Sequence, residues 1–211
     1  MNTNLRGLYL VTPNWDDTDR LLEVTAAALE AGAALVQYRH KDAGPDLRAE
    51  QAAALLALCR RHGAPLVIND HLDLCQRLDA DGVHLGHLDA GIAAARAQLG
   101  PGKIVGASCY GELALARAAR DAGASYLAFG GFYPSPVKKY TFVTPPELLD
   151  AARAEFALPL VVIGGMTPDN AAPLVARGAD LVAAITSVYG APDPAAAGAA
   201  ARAFGSLFGL D

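Results

Sequence analysis

A short polar segment follows an apolar run near residue 35 and carries closely spaced hydrogen-bond donors. After residues 33–35 the chain reads "VQYRHK" over residues 36–41, so Gln37, Arg39 and Lys41 lie two residues apart. Residues two apart share one face of a β-strand. Arginine binds phosphate oxygens with a planar fork, and lysine binds them as a point charge. The spacing therefore predicts an anion site, with a solvated strand end as the alternative.

Two carboxylates follow the next two apolar runs of the chain. Asp70 ends the segment "VIND", and Asp89 ends "VHLGHLD". Proteins usually bind Mg²⁺ through one or two carboxylates together with waters and substrate phosphates. Each aspartate has an alternative interpretation as a helix N-cap, and Asp73 lies one turn beyond Asp70. Because they follow neighbouring strands beside the cationic segment, Asp70 and Asp89 predict a Mg²⁺ site.

A glycine-rich segment, "IGGMTPDN" over residues 163–170, has the features of a second phosphate site. Gly164 and Gly165 permit close backbone approach to a ligand. Thr167 is a typical N-cap, and Pro168 is typical of the first helical position. Helix N-termini favour phosphate, although a purely structural turn also explains the glycines.

A long connection over residues 130–144 carries Pro134 and Pro136 and the adjacent pair Lys138 and Lys139. Long ordered loops in compact domains are often lids or binding loops. The alternative is a plain surface loop.

Short apolar runs alternate along the chain with longer alanine-rich stretches, which is typical of parallel strands covered on both faces. The predicted strands are 7–12, 33–39, 65–69, 82–85, 104–108, 125–129, 160–163 and 181–185. The predicted helices are about 17–31, 45–62, 71–79, 88–99, 111–122, 145–156, 168–177 and 194–208. Eight strand–helix units predict an α/β protein, a single-domain (β/α)₈ TIM barrel over residues 1–211. In such barrels the chemistry lies at the C-terminal ends of the strands.

Three glycines support this division into elements. Gly32, Gly123 and Gly178 each follow a predicted helix and precede a predicted strand. Helices commonly end at a glycine in the left-handed conformation, so we expect that conformation at all three positions.

Composition narrows the function classes. The 211 residues carry a formal net charge of −5, so sequence-independent nucleic-acid binding is not expected. The sequence shows neither a signal-peptide pattern nor an apolar run long enough for a transmembrane helix. We expect a cytoplasmic protein with small-molecule substrates and no nucleic-acid or membrane partner, and assembly into a homo-oligomer is left open.

The cysteine and histidine spacing gives little support for a structural metal site. The three cysteines are odd in number and form no C-x-x-C pair, which favours reduced thiols. His84 and His87 are three apart around Gly86 at a predicted strand end, so a zinc pair is the less favoured interpretation.

Taken in order, these segments resemble the thiamine-phosphate synthase family over nearly the whole chain. The matching segments are "VQYRHK", "VINDHLDL", "DGVHLGHLD", "GAS", "YPSPVKK", "VIGGMTPDN" and "AAITSVYGAPDP". The resemblance implies a Mg²⁺-dependent transferase of thiamine biosynthesis. Its substrates are 4-amino-5-hydroxymethyl-2-methylpyrimidine diphosphate and 4-methyl-5-(2-hydroxyethyl)thiazole phosphate, or the carboxylated form of the latter. The products are thiamine phosphate and pyrophosphate.

The resemblance also implies roles for individual residues. The expected catalytic residues are Arg39, Lys41, Ser108 and Lys138. The expected metal ligands are Asp70 and Asp89. The expected substrate-binding residues are Gln37, Tyr38, Arg39, His40, Lys41, Asn69, Ser108, Ser135, Pro136, Val137, Lys138, Gly165, Ile185 and Thr186.

Four positions depart from the family pattern. Ser135 and Val137 stand where threonines are usual, and His87 and Tyr110 replace the more usual glutamine and histidine. Two other functions stay open: the related thiazole tautomerase, which uses no pyrophosphate substrate, and a phosphate-ligand sensor without turnover.

Overall fold

The computed structural model describes residues 5–86, 89–135, 137 and 141–210. Within these residues, eight parallel strands pair in sequence order and close into a barrel, with β1 paired to β8. The strands are β1 Gly7–Val11, β2 Leu35–Tyr38, β3 Leu66–Asn69, β4 Gly82–Leu85, β5 Ile104–Tyr110, β6 Tyr126–Gly130, β7 Leu160–Ile163 and β8 Leu181–Ala184. The helices are α1 Thr18–Glu30, α2 Pro45–Arg61, α3 Leu72–Leu78, α4 Asp89–Leu99, α5 Leu113–Asp121, α6 Leu148–Glu155, α7 Pro168–Ala176, α8 Thr186–Tyr189 and α9 Pro194–Ser206. The predicted (β/α)₈ barrel is therefore confirmed.

The predicted elements differ from the observed ones mainly at their ends. The strand β5 extends to Tyr110, with an irregular register between Ser108 and Tyr110. Helix α8 was not predicted, because its four residues are too few to show helical periodicity. Both differences lie at the C-terminal ends of strands, where the predicted site residues are.

Apolar side chains of the strands pack on both faces of the barrel wall. One buried cluster fills the barrel interior and includes Tyr9, Val67, Tyr126 and Val161. A larger cluster lies between the strands and the helices around them. The near-continuous apolar runs in the sequence are explained by this two-sided burial.

Glycines and capping residues at the helix ends direct the chain back to the barrel. Gly32, Gly123 and Gly178 follow α1, α5 and α7 with φ of 92°, 92° and 98°, which confirms the predicted left-handed helix ends. At the other end of α7, Thr167 and Asn170 form a capping box with Pro168 in the first turn. This confirms the helix start predicted from "MTPDN".

The three cysteines, Cys59, Cys75 and Cys109, are buried free thiols. Across the described ranges, no helix is both long enough and apolar enough to cross a membrane.

Gly106 of β5 lies in the barrel interior, and the ring of Tyr126 occupies the space that a side chain at this position would need. A Cβ on Gly106 in β5 would lie 2.1 Å from Cζ of Tyr126. We expect Gly106→Ala to lower the free energy of unfolding by about 1–3 kcal/mol, because the buried ring must move. Urea unfolding measures the change.

Gly91 provides the matched control, since it lies in α4 and a Cβ added there would have no atom within 4 Å. Gly91→Ala should leave stability unchanged or raise it by up to about 1 kcal/mol. Equal stability of the two variants would contradict the tight packing between Gly106 and Tyr126.

Candidate active site

A cavity of about 620 Å³ opens at the C-terminal ends of the strands. Its size is typical of sites for small organic molecules. The residues that line it come from all eight strand ends and include Val11, Gln37, Arg39, Lys41, Asn69, Asp70, His84, Ser108, Tyr110, Ser135, Val137, Gly164, Gly165, Ile185, Thr186 and Ser187. Most of the described residues predicted for the site therefore lie around one cavity.

The end of β2 provides the cationic side of this cavity. Gln37, Arg39 and Lys41 all line it, as the two-residue spacing predicted. Two side chains at the end of β1 hold the backbone of this segment. Oγ1 of Thr12 accepts from N–H of Arg39 at 2.8 Å, and Oδ1 of Asn14 accepts from N–H of Lys41 at 3.2 Å. The backbone from which the Arg39 and Lys41 side chains extend is thus held in place.

Tyr38 and His40 face the other side of the same segment, towards α2. The hydroxyl of Tyr38 donates to Oε1 of buried Gln51 at 3.1 Å, and Nδ1 of His40 lies 3.3 Å from the same oxygen. Neither side chain lines the large cavity. Their contacts stabilise the strand end against α2, a role that the family resemblance alone did not indicate.

Asp70 has an unusual backbone conformation at the end of β3. Its φ is 63°, which is uncommon for a residue other than glycine. Its N–H donates to the carbonyl of His84 at 3.0 Å, and Oδ2 accepts from Nδ2 of Asn69 at 2.7 Å. Nζ of Lys41 lies 3.6 Å from Oδ2. The Asp70 carboxylate is half-exposed, and it lies at the cavity edge close to a cation.

The donor set at this edge fits a hard divalent cation. An ionised carboxylate has about four lone-pair positions, so Asp70 keeps free acceptor capacity beside its contacts to Asn69 and Lys41. Among the described residues there is no cluster of three or more metal-ligating side chains. Asp89 begins α4, but its side chain lies outside the described residues, and exposed Asp73 pairs with Arg77.

A chain of hydrogen bonds forms the floor of the cavity. Nε2 of Gln37 donates to the hydroxyl of Tyr9 at 2.6 Å, and this hydroxyl lies 2.6 Å from that of Tyr126. The Tyr126 hydroxyl lies 2.7 Å from Nδ1 of His84, and Nε2 of His84 lies 2.9 Å from Oγ of Ser108. Side chains from five strands are joined in this way across the barrel.

The two tyrosine hydroxyls of this floor chain are buried. Burial raises the pKa of Tyr9 and of Tyr126, so both phenols stay protonated near neutral pH. Either hydroxyl can donate in the pair that they form, and the roles of the two His84 nitrogens depend on the tautomer of the ring. The chain therefore holds these polar groups at hydrogen-bonding distance from one another across the floor.

The loops after β6 and β7 pack closely because of two glycines. Gly165 has a φ of 60°, and a Cβ there would lie 2.2 Å from the carbonyl oxygen of Pro134. Gly164 has a φ of 112° and a similarly close approach to Gly131. Nδ2 of Asn170 donates to the carbonyl of Gly165 at 2.9 Å. Close packing between the two loops therefore explains why both positions are glycine. The same glycines bring backbone atoms to the cavity surface.

The end of β8 adds an unpaired hydroxyl to this glycine-rich side. Ile185, Thr186 and Ser187 line the cavity. Oγ of Ser187 is buried and finds no hydrogen-bond partner in the part of the chain that the structure describes. A buried polar atom without a partner is costly, so this hydroxyl is an unfavourable feature of the cavity wall. Sequence reasoning missed Ser187, although it directly follows the predicted pair.

The long loop after β6 is fixed at its far end. Buried Thr144 donates from N to the carbonyl of Gly131 at 3.0 Å and from Oγ1 to the carbonyl of Gly130 at 2.9 Å. Oγ of Ser135 accepts from N–H of exposed Val137 at 3.3 Å. The loop therefore returns to its own origin beside the cavity.

The structure gives no position for four residues that the sequence analysis named as site residues, loop lysines or departures from the family pattern. Pro136, Lys138, Lys139 and His87 lie outside the described residues. Tyr110, the other departure from the family pattern, lines the cavity with a φ of 51° and packs edge-on against Phe142 at a centroid distance of 6.5 Å.

Comparison with known proteins gives a consistent result. The family model described as thiamine monophosphate synthase matches residues 8–188. A thiamine-phosphate synthase from Janthinobacterium sp. is 61% identical over 208 residues, covering 99% of each chain. One from Thiobacillus denitrificans is 52% identical over 193 residues, covering 92% of each. The solved thiamine phosphate pyrophosphorylase from Pyrococcus furiosus has a TM-score of 0.84 at 32% identity, covering 97% of this chain and 96% of that one.

The buried tyrosines make stability sensitive to alkaline pH. Because burial raises the pKa of Tyr126 above its ordinary value of 10.0, its contribution is complete below pH 10 and is lost as the pH rises above it. We expect wild type to lose about 1.4 kcal/mol more unfolding free energy between pH 9 and pH 11 than Tyr126→Phe does. Urea unfolding at several pH values measures both slopes, and parallel slopes would contradict the prediction.

Proposed function

The chain belongs to the thiamine monophosphate synthase family, and we propose that it joins the pyrimidine diphosphate to the thiazole phosphate to form thiamine phosphate. The observation that carries this proposal is a single cavity with two differently built anion sides. One side holds Arg39 and Lys41, and the other holds Gly165 and the end of β8. Two substrates that each carry phosphate require two such sides.

The cationic side is suited to the pyrophosphate group. Arg39 and Lys41 face it from one strand end, and Asn69 lies on the neighbouring strand. Charge-assisted hydrogen bonds to phosphate are stronger than neutral ones. Lys138 is assigned to the same group from the family resemblance alone.

Asp70 and Asp89 would hold Mg²⁺ at this side. When bound, the ion neutralises charge that develops on the departing pyrophosphate. The free acceptor capacity of Asp70 and its position next to Lys41 and Asn69 support this assignment.

The floor of the cavity is suited to a flat nitrogen heterocycle. Gln37 and Ser108 end the hydrogen-bond chain and present polar atoms at the floor, while Val11, Val161 and Ala183 provide apolar surface nearby. An aminopyrimidine needs both kinds of contact. Binding of its ring here directs the diphosphate towards Arg39 and Lys41.

The glycine-rich side is suited to the phosphate of the thiazole. The residues assigned to it are Ser135, Pro136, Val137, Gly165, Ile185 and Thr186. Ser187 lines the same side of the cavity and adds a polar residue to it.

The proposed reaction needs placement and charge stabilisation more than proton transfer. The thiazole nitrogen forms a bond to the methylene carbon of the pyrimidine, and the bond from that carbon to the diphosphate oxygen breaks. The electron-rich aminopyrimidine supports positive charge at this carbon, and the bonding pair leaves with pyrophosphate. Arg39 and Lys41 stabilise the leaving group, while the two anion sides align the reacting atoms. A cytoplasmic location accords with substrates of this kind.

Turnover separates this function from its alternatives. We expect wild type with both substrates and Mg²⁺ to form thiamine phosphate and pyrophosphate in equal amounts, and we expect EDTA to abolish this. A thiazole tautomerase would isomerise the thiazole alone, and a sensor would bind both ligands without product. Full activity after exhaustive EDTA treatment would contradict the metal assignment.

Arg39→Met tests the division of the cavity into two sides. Methionine keeps much of the apolar stem and removes the fork, and hydrogen bonds to charged groups contribute about 1.5–3 kcal/mol. Pyrophosphate affinity should therefore fall by roughly ten- to a hundredfold, whereas thiazole phosphate affinity should stay nearly unchanged. Titration calorimetry with Mg²⁺ measures both, and equal weakening of the two ligands would reject separate sides.

A further inference from the structure

A second, smaller cavity lies on the outer side of the ends of β2 and β3. It measures about 200 Å³ and is lined by Tyr38, Arg39, His40, Lys41, Arg48, Asn69, Asp70 and His71. We call it the outer pocket. Arg39, Lys41, Asn69 and Asp70 also line the large cavity. The two spaces therefore meet at the residues assigned to pyrophosphate.

The outer pocket is electropositive. Among the described residues that line it, Arg39, Lys41 and Arg48 are cations, and Asp70 is the one carboxylate. Asp70 is already close to Lys41, with 3.6 Å between Nζ and Oδ2. A space of this size and charge is suited to a small oxyanion rather than to a heterocycle.

Arg48 lines the outer pocket but not the large cavity, and it has unused hydrogen-bonding capacity. Its Nη2 donates to the carbonyl of Ala43, which fixes the guanidinium, whereas its buried Nε has no hydrogen-bond partner within the described ranges. A buried N–H group without a partner is costly. That nitrogen has almost no accessible surface, so an anion in the outer pocket would instead meet the other N–H groups of the Arg48 guanidinium, which lines the pocket.

The position of Arg48 on its helix supports the same conclusion. It lies in the first turn of α2, which begins at Pro45. A cation at a helix N-terminus is opposed by the helix dipole, whereas an anion there is favoured. A bound oxyanion would offset the positive charge of the Arg48 guanidinium near this helix end.

We propose that the outer pocket is a second subsite for the pyrophosphate group, with Arg48 as its dedicated ligand and His71 as a further lining residue. This inference rests on the proposed function. The group reaches the pocket either while it is attached to the pyrimidine or as the free product. Arg39 and Lys41 lie between the two spaces and contact it on both sides.

Binding of free pyrophosphate tests the subsite without turnover. Titration calorimetry of Arg48→Met with pyrophosphate and Mg²⁺ should show roughly tenfold weaker binding than wild type. Arg61→Met removes an equal charge from the exposed end of the same helix and should bind as wild type does. Arg48→Lys keeps the charge without the planar fork and should recover part of the affinity.

Steady-state kinetics then identifies the source of the bound group. If Arg48→Met raises the KM for the pyrimidine diphosphate by about the same factor as it weakens pyrophosphate binding, the diphosphate extends into the outer pocket while it is attached to the pyrimidine. An unchanged KM with weaker product inhibition by pyrophosphate means that the pocket receives the free product. Both results support the subsite.

Two results would overturn it. One is equal pyrophosphate affinity for Arg48→Met and Arg61→Met, and the other is equal weakening of pyrophosphate and thiazole phosphate. If Arg48→Met unfolds at lower urea concentration, His71→Gln provides the second test and should also weaken pyrophosphate alone. Failure of wild type to form thiamine phosphate would instead contradict the proposed function, since the titration needs no turnover.

Discussion

The hydrogen-bond chain across the barrel floor is the constraint on which the rest of the site depends. Buried hydroxyls are tolerated only when they are paired, and here each of the two tyrosine hydroxyls is paired with a group on another strand. Gly106 leaves room for the ring of Tyr126, so that its hydroxyl reaches both Tyr9 and His84. The floor therefore has a fixed depth and a fixed set of paired polar groups. A ligand above it meets preset polar atoms instead of an apolar core.

Strand geometry converts this floor into two separate anion sides. Alternation along β2 sends Arg39 towards the cavity and Tyr38 towards Gln51 on α2. At the opposite side, Gly165 brings the loop after β7 against Pro134, and Asn170 holds that turn. The first side offers side-chain charges, and the second offers backbone and hydroxyl groups. Because both are anchored to the same closed barrel, the spacing between two bound phosphates is set by the fold.

The sequence predicted the barrel well because parallel strands buried on both faces leave a simple pattern. It also predicted the same-face placement of Gln37, Arg39 and Lys41, since polar residues at a strand end reveal the alternation. It did not reveal Tyr9 or Tyr126, because within a continuous apolar run no polar neighbour shows which face is internal. Gly165 was predicted as a ligand contact, but its contact with Pro134 depends on two loops far apart in sequence. Ser187 was missed because its unpaired hydroxyl follows from the short helix α8, which has no periodicity.

The charge of the whole chain explains why the cationic residues must be concentrated and fixed. With a net charge of −5, the protein as a whole does not attract phosphates, so attraction depends on local fields within about 10 Å of the site at ordinary salt. Thr12 and Asn14 fix the backbone of Arg39 and Lys41 by hydrogen bonds from a different strand end. A mobile strand end would lose backbone conformational entropy on binding. The anchored backbone of Arg39 and Lys41 reduces that loss, and the positive field remains directed at one edge of the cavity.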